Sequence, residues 1–271
     1  MARIERPILI YFGGKYRIAP WIIGHFPPHE TYVEPFGGAA SVLLTKERSR
    51  CEVYNDLNGD LVNLFQVLRD PEQALALGRR LRLTPYARAE FQAAYAGTDD
   101  LIERAARTMV RSHMGLASVG VTRRTGFRSC GRDAAAWSRL PHLVDKVVDR
   151  LKGVLIECRP AIEIMERFDS SSTLHYVDPP YPLGARLSPA KIYSHEMIDE
   201  DHERLLDRLA ALKGTVLLSG YAHPLYEQRL SNWKCHERET RNMAGRITVE
   251  RLWIKPADGK SLCRAPSRSA F

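Results

Sequence analysis

The stretch TYVEPFGGAASVLLTKERSRCEVYND, residues Thr31 to Asp56, sets a helical run between two short apolar ones. The first apolar run, TYVEPF (Thr31 to Phe36), stops at Gly37-Gly38, and the last, CEVYND, stops at Asn55 and Asp56. Apolar runs of this length that end in turn-forming residues read as buried strands opening into turns. Between them GAASVLLTKERS reads as a helix that begins at small residues. Strand, helix and strand make a β-α-β unit, which implies parallel strands and a right-handed crossover.

Upstream, ILIY (Ile8 to Tyr11), ended by Gly13-Gly14, reads as one more such strand. Downstream the period changes. Leu57, Leu61, Leu64, Phe65 and Leu68 recur at helical spacing. In LTPYARAEFQAAYAG, Thr84 is expected as N-cap, Pro85 as the first helical residue and Gly97 as the stop. DDLIERAARTMVRSHM and LVDKVVDRLKG (Leu143 to Gly153) repeat the helical pattern. Strand signals then return in VLIEC (Val154 to Cys158), TLHYVD (Thr173 to Asp178), TVLLS (Thr215 to Ser219) and TVERLWI (Thr248 to Ile254). IDEDHERLLDRLAALKG between two of them reads as an amphipathic helix with acids in its first turn and Gly214 as its stop. The expected organisation is α/β: a sheet domain from 1–56 and 154–256, a helical insert over 57–153, and a basic tail over 257–271 that frays.

The 271 residues suit one large α/β domain carrying an insert, and an apolar fraction of 44% is enough for a sizeable core. No apolar run approaches the ~20 residues of a membrane span. The N-terminal stretch is too short in apolar residues for a signal peptide. Five scattered cysteines without a C-x-x-C pair suggest neither a zinc site nor a disulfide framework, and a reducing, cytoplasmic setting is expected. A net charge of +8 fits a polyanionic partner such as nucleic acid, or solubility charge alone.

In an open parallel sheet, ligands sit outside the carboxyl ends of the strands, and the unusual residues of this chain fall there. In VEPFGGAAS, small residues allow close backbone approach to a ligand, or simply make a tight strand-to-helix turn. In VYNDLN, Asp56 lies 18 residues beyond Gly38, near the ~20 of dinucleotide folds, where a carboxylate accepts from ribose hydroxyls. Equally, Asn55 or Asp56 serves as a helix cap. In YFGGKYRIAPWI, Lys15 beside two glycines is placed to meet a carboxylate or phosphate, or is a free surface lysine.

The sharpest signal is DPPY, Asp178 to Tyr181, at the end of TLHYVD. Two prolines fix φ and leave their carbonyls without ladder partners. Asp178 adds a second acceptor and Tyr181 a flat face for stacking, so the turn can receive an amino group. A proline-stiffened turn, or a cap by Asp178, are the plainer readings.

Taken in order, YFGGKY, VEPFGGAASV, VYNDLN and YVDPPY, with a helical insert before the last, closely resemble the Dam-like (D12 class) DNA adenine-N6 methyltransferases. The resemblance runs over nearly the whole chain up to about Pro256. It implies a Rossmann-like S-adenosylmethionine-dependent methyltransferase sheet with an inserted helical target-recognition domain. It implies S-adenosylmethionine as methyl donor, with Tyr11 and Lys15 lining the cofactor pocket, Phe36 and Gly38 forming the turn beneath it, and Asp56 holding the ribose hydroxyls. Asp178, Pro179, Pro180 and Tyr181 become catalytic, Asp178 facing both cofactor and target base. The family turn usually reads F-x-G-x-G. Here its last glycine is Ala40, whose methyl is expected to narrow the pocket.

On this reading the adenine amine, a poor nucleophile because its lone pair is delocalised, gives its two hydrogens to the Asp178 carboxylate and the Pro179 carbonyl. Its lone pair then points at the methyl sulfonium. The prolines pre-organise the acceptors and positioning does the rest. No metal is needed. A base within a duplex must be extruded to reach such a pocket, with Tyr181 to stack on. The segment Arg111 to Arg139 carries six arginines and one acid, and its centre GVTRRTGFR reads as a β-hairpin or long loop. Arginine reads guanine and clamps phosphate, so Arg123, Arg124 and Arg128 are the expected contacts to double-stranded DNA. Tyr193 is expected to shape the base pocket, His195 to belong to a lid, and the enzyme to be a monomer. The rivals are the same chemistry on RNA adenine or on the cytosine N4 amine, and a non-catalytic nucleic-acid-binding module. Protein glutamine is disfavoured because that chemistry goes with N-P-P-Y.

Overall fold

The computed structural model describes residues 4–186, 192–241, 245 and 247–258; beyond its first two residues, the expected basic tail lies outside the described residues. The chain opens with the short helix α1 (Ala19–Ile23), then β1 (Thr31–Glu34), α2 (Ser41–Thr45) and β2 (Cys51–Asn55). A helical block follows: α3 (Gly59–Arg69), α4 (Pro71–Leu83), α5 (Arg88–Ala93), α6 (Leu101–Met114), α7 (Gly131–Ser138) and α8 (Pro141–Leu151). The sheet resumes with β3 (Val154–Glu157), α9 (Ala161–Arg167), β4 (Thr173–Val177), α10 (Asp199–Ala211), β5 (Thr215–Gly220), α11 (Pro224–Arg229), β6 (Lys234–Arg241) and β7 (Ile247–Lys255).

Seven strands lie in the order β3-β2-β1-β4-β5-β7-β6. The first five are parallel and β7 is antiparallel to both neighbours. The β1-α2-β2 unit is as expected, with Thr31 level with Cys51 and Glu34 with Tyr54. Chain direction reverses its progress across the sheet between β1 and β4. That is the switch point at which a crevice opens, and Glu34 and Asp178 stand at its two sides. Because β7 runs against β5, with Gly220 level with Arg251, the start of β7 lies at the carboxyl ends of the parallel strands. That direction brings Glu250 toward the same crevice.

Two expectations about the elements are corrected. Ile8 to Tyr11 is not a strand. Ile8 and Leu9 are buried, but the ladder's place is taken by side chains of α6. Ser112 Oγ accepts from Ile10 N at 2.8 Å and donates to Ile10 O at 2.9 Å. Burial pulls His113 down to about 4 despite its bond to Ile8, so the neutral ring donates from Nε2 to the Ile8 carbonyl. Thr84 ends α4 rather than starting the next helix: its hydroxyl donates to Arg80 O, and α5 begins only at Arg88. Of the β-hairpin or long loop expected in GVTRRTGFR, the structure has the loop, closed by a single antiparallel bridge between Gly115 and Phe127. One strand, β6, was not anticipated. It is an edge strand whose charged residues give no apolar run.

The helical block shares its apolar core with the sheet. Tyr32, Leu43 and Tyr54 from the β1-α2-β2 unit belong to one buried cluster with Leu61, Phe65 and Val147. Among the described residues, no helix is long and apolar enough to cross a membrane.

Candidate active site

The turn after β1 is built from below by β2. A Cβ on Gly37 would fall 2.1 Å from Tyr54 Cε2, so only glycine lets that buried ring pack beneath the turn. Tyr54 donates its hydroxyl to Gly38 O at 2.8 Å, and Asn55 Nδ2 donates to Pro35 O at 2.9 Å. Gly38 takes φ +50 and Ala40 φ +53. The second value corrects the expectation for Ala40. Its methyl belongs to the core, while Ala39 and Ser41 on either side line the cavity. The substitution therefore falls on the backbone rather than on the pocket.

A left-handed alanine costs about 1–2 kcal/mol. Glycine would remove that cost but lose a buried methyl, about 0.8 kcal/mol, and gain about 0.4–1 kcal/mol of unfolded-state freedom. Ala40→Gly is accordingly expected to leave both unfolding free energy and cofactor affinity within about 1 kcal/mol of the parent, by urea titration and calorimetry. A cofactor dissociation constant changed more than tenfold would show that the methyl does face the pocket.

Above the carboxyl ends of β1, β2 and β4 lies a cavity of about 480 Å³, within the range of small-molecule sites. Tyr11, Lys15, Phe36, Gly38, Asp56 and Asp178, the six residues expected to hold the cofactor, all line it. Asp56 joins two turns: Oδ2 accepts from Gly38 N and Oδ1 from Asn58 N, both at 2.8 Å. The cap of α3 is instead Asn58, which accepts from Asp60 N. Burial raises the Asp56 carboxyl, and the two N–H bonds only partly offset it.

Asp178 is the centre of a compact polar cluster. Lys15 Nζ lies 2.9 Å from Asp178 Oδ1 and 3.6 Å from Glu250 Oε1, and donates to Gly13 O at 2.9 Å. Tyr181 donates to Asp178 Oδ1 at 3.1 Å and to Glu250 Oε1. The Lys15 ammonium also sits 4.8 Å from the Tyr181 ring centre. Burial disfavours that ammonium, but Asp178 and Glu250 outweigh it and hold Lys15 protonated. Burial raises the Asp178 carboxyl, and Lys15 and Tyr181 pull it back.

Of the four DPPY residues, Asp178 and Pro180 line the cavity. Pro179 is buried beside it. Tyr181 is 7% exposed, with its ring edge-on to Tyr221 at 4.8 Å. Across the cavity Tyr193 and His195 form part of the wall. That wall is pinned by Glu196, whose Oε1 accepts from Ile192 N and Tyr193 N, and whose carboxylate pairs with Arg186. Arg186 in turn donates to Tyr181 O at 2.6 Å.

Among the expected DNA contacts, Arg123 and Arg124 are exposed on the loop, and Arg124 stacks over Tyr95 at 5.3 Å. Arg128 is half-buried, donating to Gly115 O at 3.2 Å and lying 3.6 Å from Asp133. The structure thus gives Arg128 partners within the protein that the other two lack in kind.

Sequence reasoning missed Glu34, Ser41 and Glu250. Glu34 is buried and accepts from Tyr32 OH at 2.7 Å and Leu43 N at 3.0 Å. Burial pushes it up to about 8 against those two bonds, toward the protonated form. Ser41 Oγ is buried in the cavity wall without a hydrogen-bond partner among the described residues. The available signal was an acid inside an apolar strand, in VEPF and again in TVERLWI.

Residues 11–242 match the model of the D12 class N6 adenine-specific DNA methyltransferases. Among curated proteins, a DNA adenine methylase of Vibrio cholerae is 26% identical over 268 residues, covering 92% of this chain and 95% of its own. The DNA adenine methylase of Escherichia coli K12 is 25% identical over 214 residues, 75% of each chain. A type II methyltransferase of Lactococcus lactis subsp. cremoris is 28% identical over 267 residues, 89% of each. With a match across most of its length and a parallel sheet whose switch point carries the DPPY turn, the chain belongs to the D12 class of N6 adenine-specific DNA methyltransferases.

Proposed function

We propose that the protein binds S-adenosylmethionine in the 480 Å³ cavity and methylates N6 of an adenine extruded from double-stranded DNA. The carrying observation is the placement of Asp178 at the edge of that cavity, with Oδ1 held by Lys15 and Tyr181. The second carboxylate oxygen is left for an incoming amine. The chain's residues fit the cofactor. Asp56 keeps lone pairs beyond its two backbone bonds and can accept from ribose hydroxyls. The orphaned Ser41 hydroxyl offers a donor and acceptor at the start of α2. When bound, S-adenosylmethionine supplies an electrophilic methyl on a sulfonium.

The chain's own residues supply position. Asp178 and the Pro179 carbonyl accept hydrogen bonds from the two N–H groups of the adenine amine, so that its lone pair is freed toward the methyl. Tyr193 in the cavity wall offers an aromatic face beside the base, while Tyr181, buried against Tyr221 and outside the cavity lining, fixes the carboxylate through its hydroxyl instead of stacking. Stacking on Tyr193 offsets part of the few kcal/mol of extrusion. The segment 57–153 serves as target-recognition region, with Arg123 and Arg124 as the foremost DNA contacts and Arg128 shaping the loop.

Incubating the protein and S-adenosylmethionine with DNA from a methylation-free host, followed by sequencing that detects modified bases, tests the reading. N6-methyladenine in one recurrent sequence is the expected result. Modified cytosine, or methylation of a matched RNA instead, would replace it. Arg123→Ala and Arg124→Ala are each expected to weaken DNA binding and to reduce the slope of log affinity against log salt by about 1 where the residue grips a phosphate. A loss of discrimination at one base pair of the site, with the slope unchanged, would mark a base contact instead.

A further inference from the structure

We infer that Glu250 is the positioning residue of the catalytic carboxylate: it anchors Lys15 and Tyr181 together, and through them fixes Asp178 with one oxygen aimed at the substrate. The inference rests on the proposed reading of the cavity. Glu250 is 4% exposed, near the start of an antiparallel strand, and takes no part in lining the cavity. Its place behind Lys15 and Tyr181 suits it to act through them rather than on cofactor or base directly.

The geometry is a closed ring. Glu250 Oε1 accepts from Tyr181 OH and lies 3.6 Å from Lys15 Nζ; both of those groups reach Asp178 Oδ1, at 3.1 and 2.9 Å. A phenol has one proton to give. While both acids are ionised, Tyr181 can satisfy only one of them fully, and Lys15 must hold the other. Glu250 thus sets how the ammonium and the phenol are shared, and so how Asp178 is turned. A buried ammonium between two buried carboxylates also leaves the cluster one negative charge in excess. That excess keeps Asp178 a strong acceptor instead of a neutralised half of a simple ion pair.

Charge removal at Glu250 has a definite sign. Facing Asp178 are Lys15 from the loop before α1, Glu34 from β1, Tyr176 from β4, Tyr181 and Tyr193 from the following loop, Tyr221 after β5, Tyr226 from α11, and Glu250 from β7. Asp178 raises Glu250 by like-charge repulsion, and Lys15 lowers both. In Glu250→Gln the Lys15 ammonium is no longer shared between two carboxylates and acts on Asp178 alone. Asp178 then ionises at lower pH and accepts more weakly.

The test measures single-turnover methylation against pH, with cofactor and DNA affinities measured separately. Glu250→Gln is expected to slow the chemical step by about 10–100-fold, the usual range for removing an outer-shell partner. Its acid limb is expected at lower pH, with both affinities near the parent's. Glu250→Asp, which keeps the charge, is expected to fall between the two in rate with the parent's acid limb. An unchanged rate in Glu250→Gln overturns the inference, as do equal losses in both variants with no movement of the limb, which a merely structural role would give. Should Glu250→Gln not fold, Glu250→Asp decides: a slowed step at unchanged affinities supports the inference and an undiminished rate overturns it. A parent protein that methylates no adenine would sink the functional reading instead, and is seen before any variant is compared.

Discussion

Asp178→Asn is expected to lower single-turnover methyl transfer by about 10²–10³-fold, the range for losing one preorganised partner of the transition state, while DNA binding persists. The two atoms of the amide make the reason explicit. If the amide oxygen keeps Lys15 and Tyr181, the NH₂ group faces the substrate amine, donor against donor. If the amide turns over, its NH₂ group faces the Lys15 ammonium, 2.9 Å from where Oδ1 stood. Neither rotamer serves both partners. Asp178→Ala removes the acceptor altogether and is expected to abolish methylation. It also leaves the buried Lys15 with Glu250 as its remaining carboxylate, so its melting temperature should fall as well, and the asparagine is the cleaner variant. Retention of parental activity by both variants would remove Asp178 from the chemistry and the proposed mechanism with it.

The pH dependence has the same origin. In the proposed mechanism methyl transfer requires the ionised Asp178, and burial raises that carboxyl more than Lys15 and Tyr181 lower it. The acid limb of the parent is therefore expected above the ordinary aspartate range of about 3.9.

How far the sequence discloses these features follows from the physics of each element. The β1-α2-β2 unit is legible because parallel strands are buried on both faces and read as apolar runs stopped by glycine or Asn-Asp. Asp178 is legible because a proline pair after a strand is a costly and unusual turn. Ile8 to Tyr11 misleads for the complementary reason. It is as buried as a strand, yet its backbone groups are satisfied by Ser112 and His113, about a hundred residues away. No local pattern reports such a partner. β6 is invisible to apolar periodicity because its residues are mostly exposed at a sheet edge. Glu34 and Glu250 were within reach: a carboxylate inside an apolar strand must be paired or protonated. What the sequence could not show is that strand direction gathers them at one crevice.

The largest effect on stability is expected away from that crevice, in Arg150→Met. Arg150 near the end of α8 clasps Glu52 of β2 with both guanidinium nitrogens, at 2.6 and 2.9 Å, and donates to Leu43 O at 2.6 Å. Lys46 reaches the same carboxylate at 2.6 Å, and all three side chains are nearly inaccessible. Removing one partner of a buried ion pair typically costs about 3–5 kcal/mol, because the other charge is left behind. Glu52 keeps Lys46, so the lower end, about 3 kcal/mol, is expected by urea unfolding. Burial tends to raise Glu52, but Arg150 and Lys46 hold it below its ordinary value. A depressed carboxyl contributes stability that is complete above its unfolded pKa and lost as pH falls through the folded one. Without Arg150 the depression shrinks, so acid unfolding should begin at higher pH in the variant. Pairing the change with Glu52→Leu should not restore stability, since Lys46 would keep its bonds to Glu47 O and Ser49 Oγ but lose the carboxylate that balances its charge. Full recovery in that double variant would mean that Lys46 contributes nothing. Because Arg150 ties α8 to the loop side of α2, whose other end carries the cofactor turn, the variant should lose activity only where it unfolds. The acid limb of its chemistry, set by Asp178 and Glu250, should stay where it is.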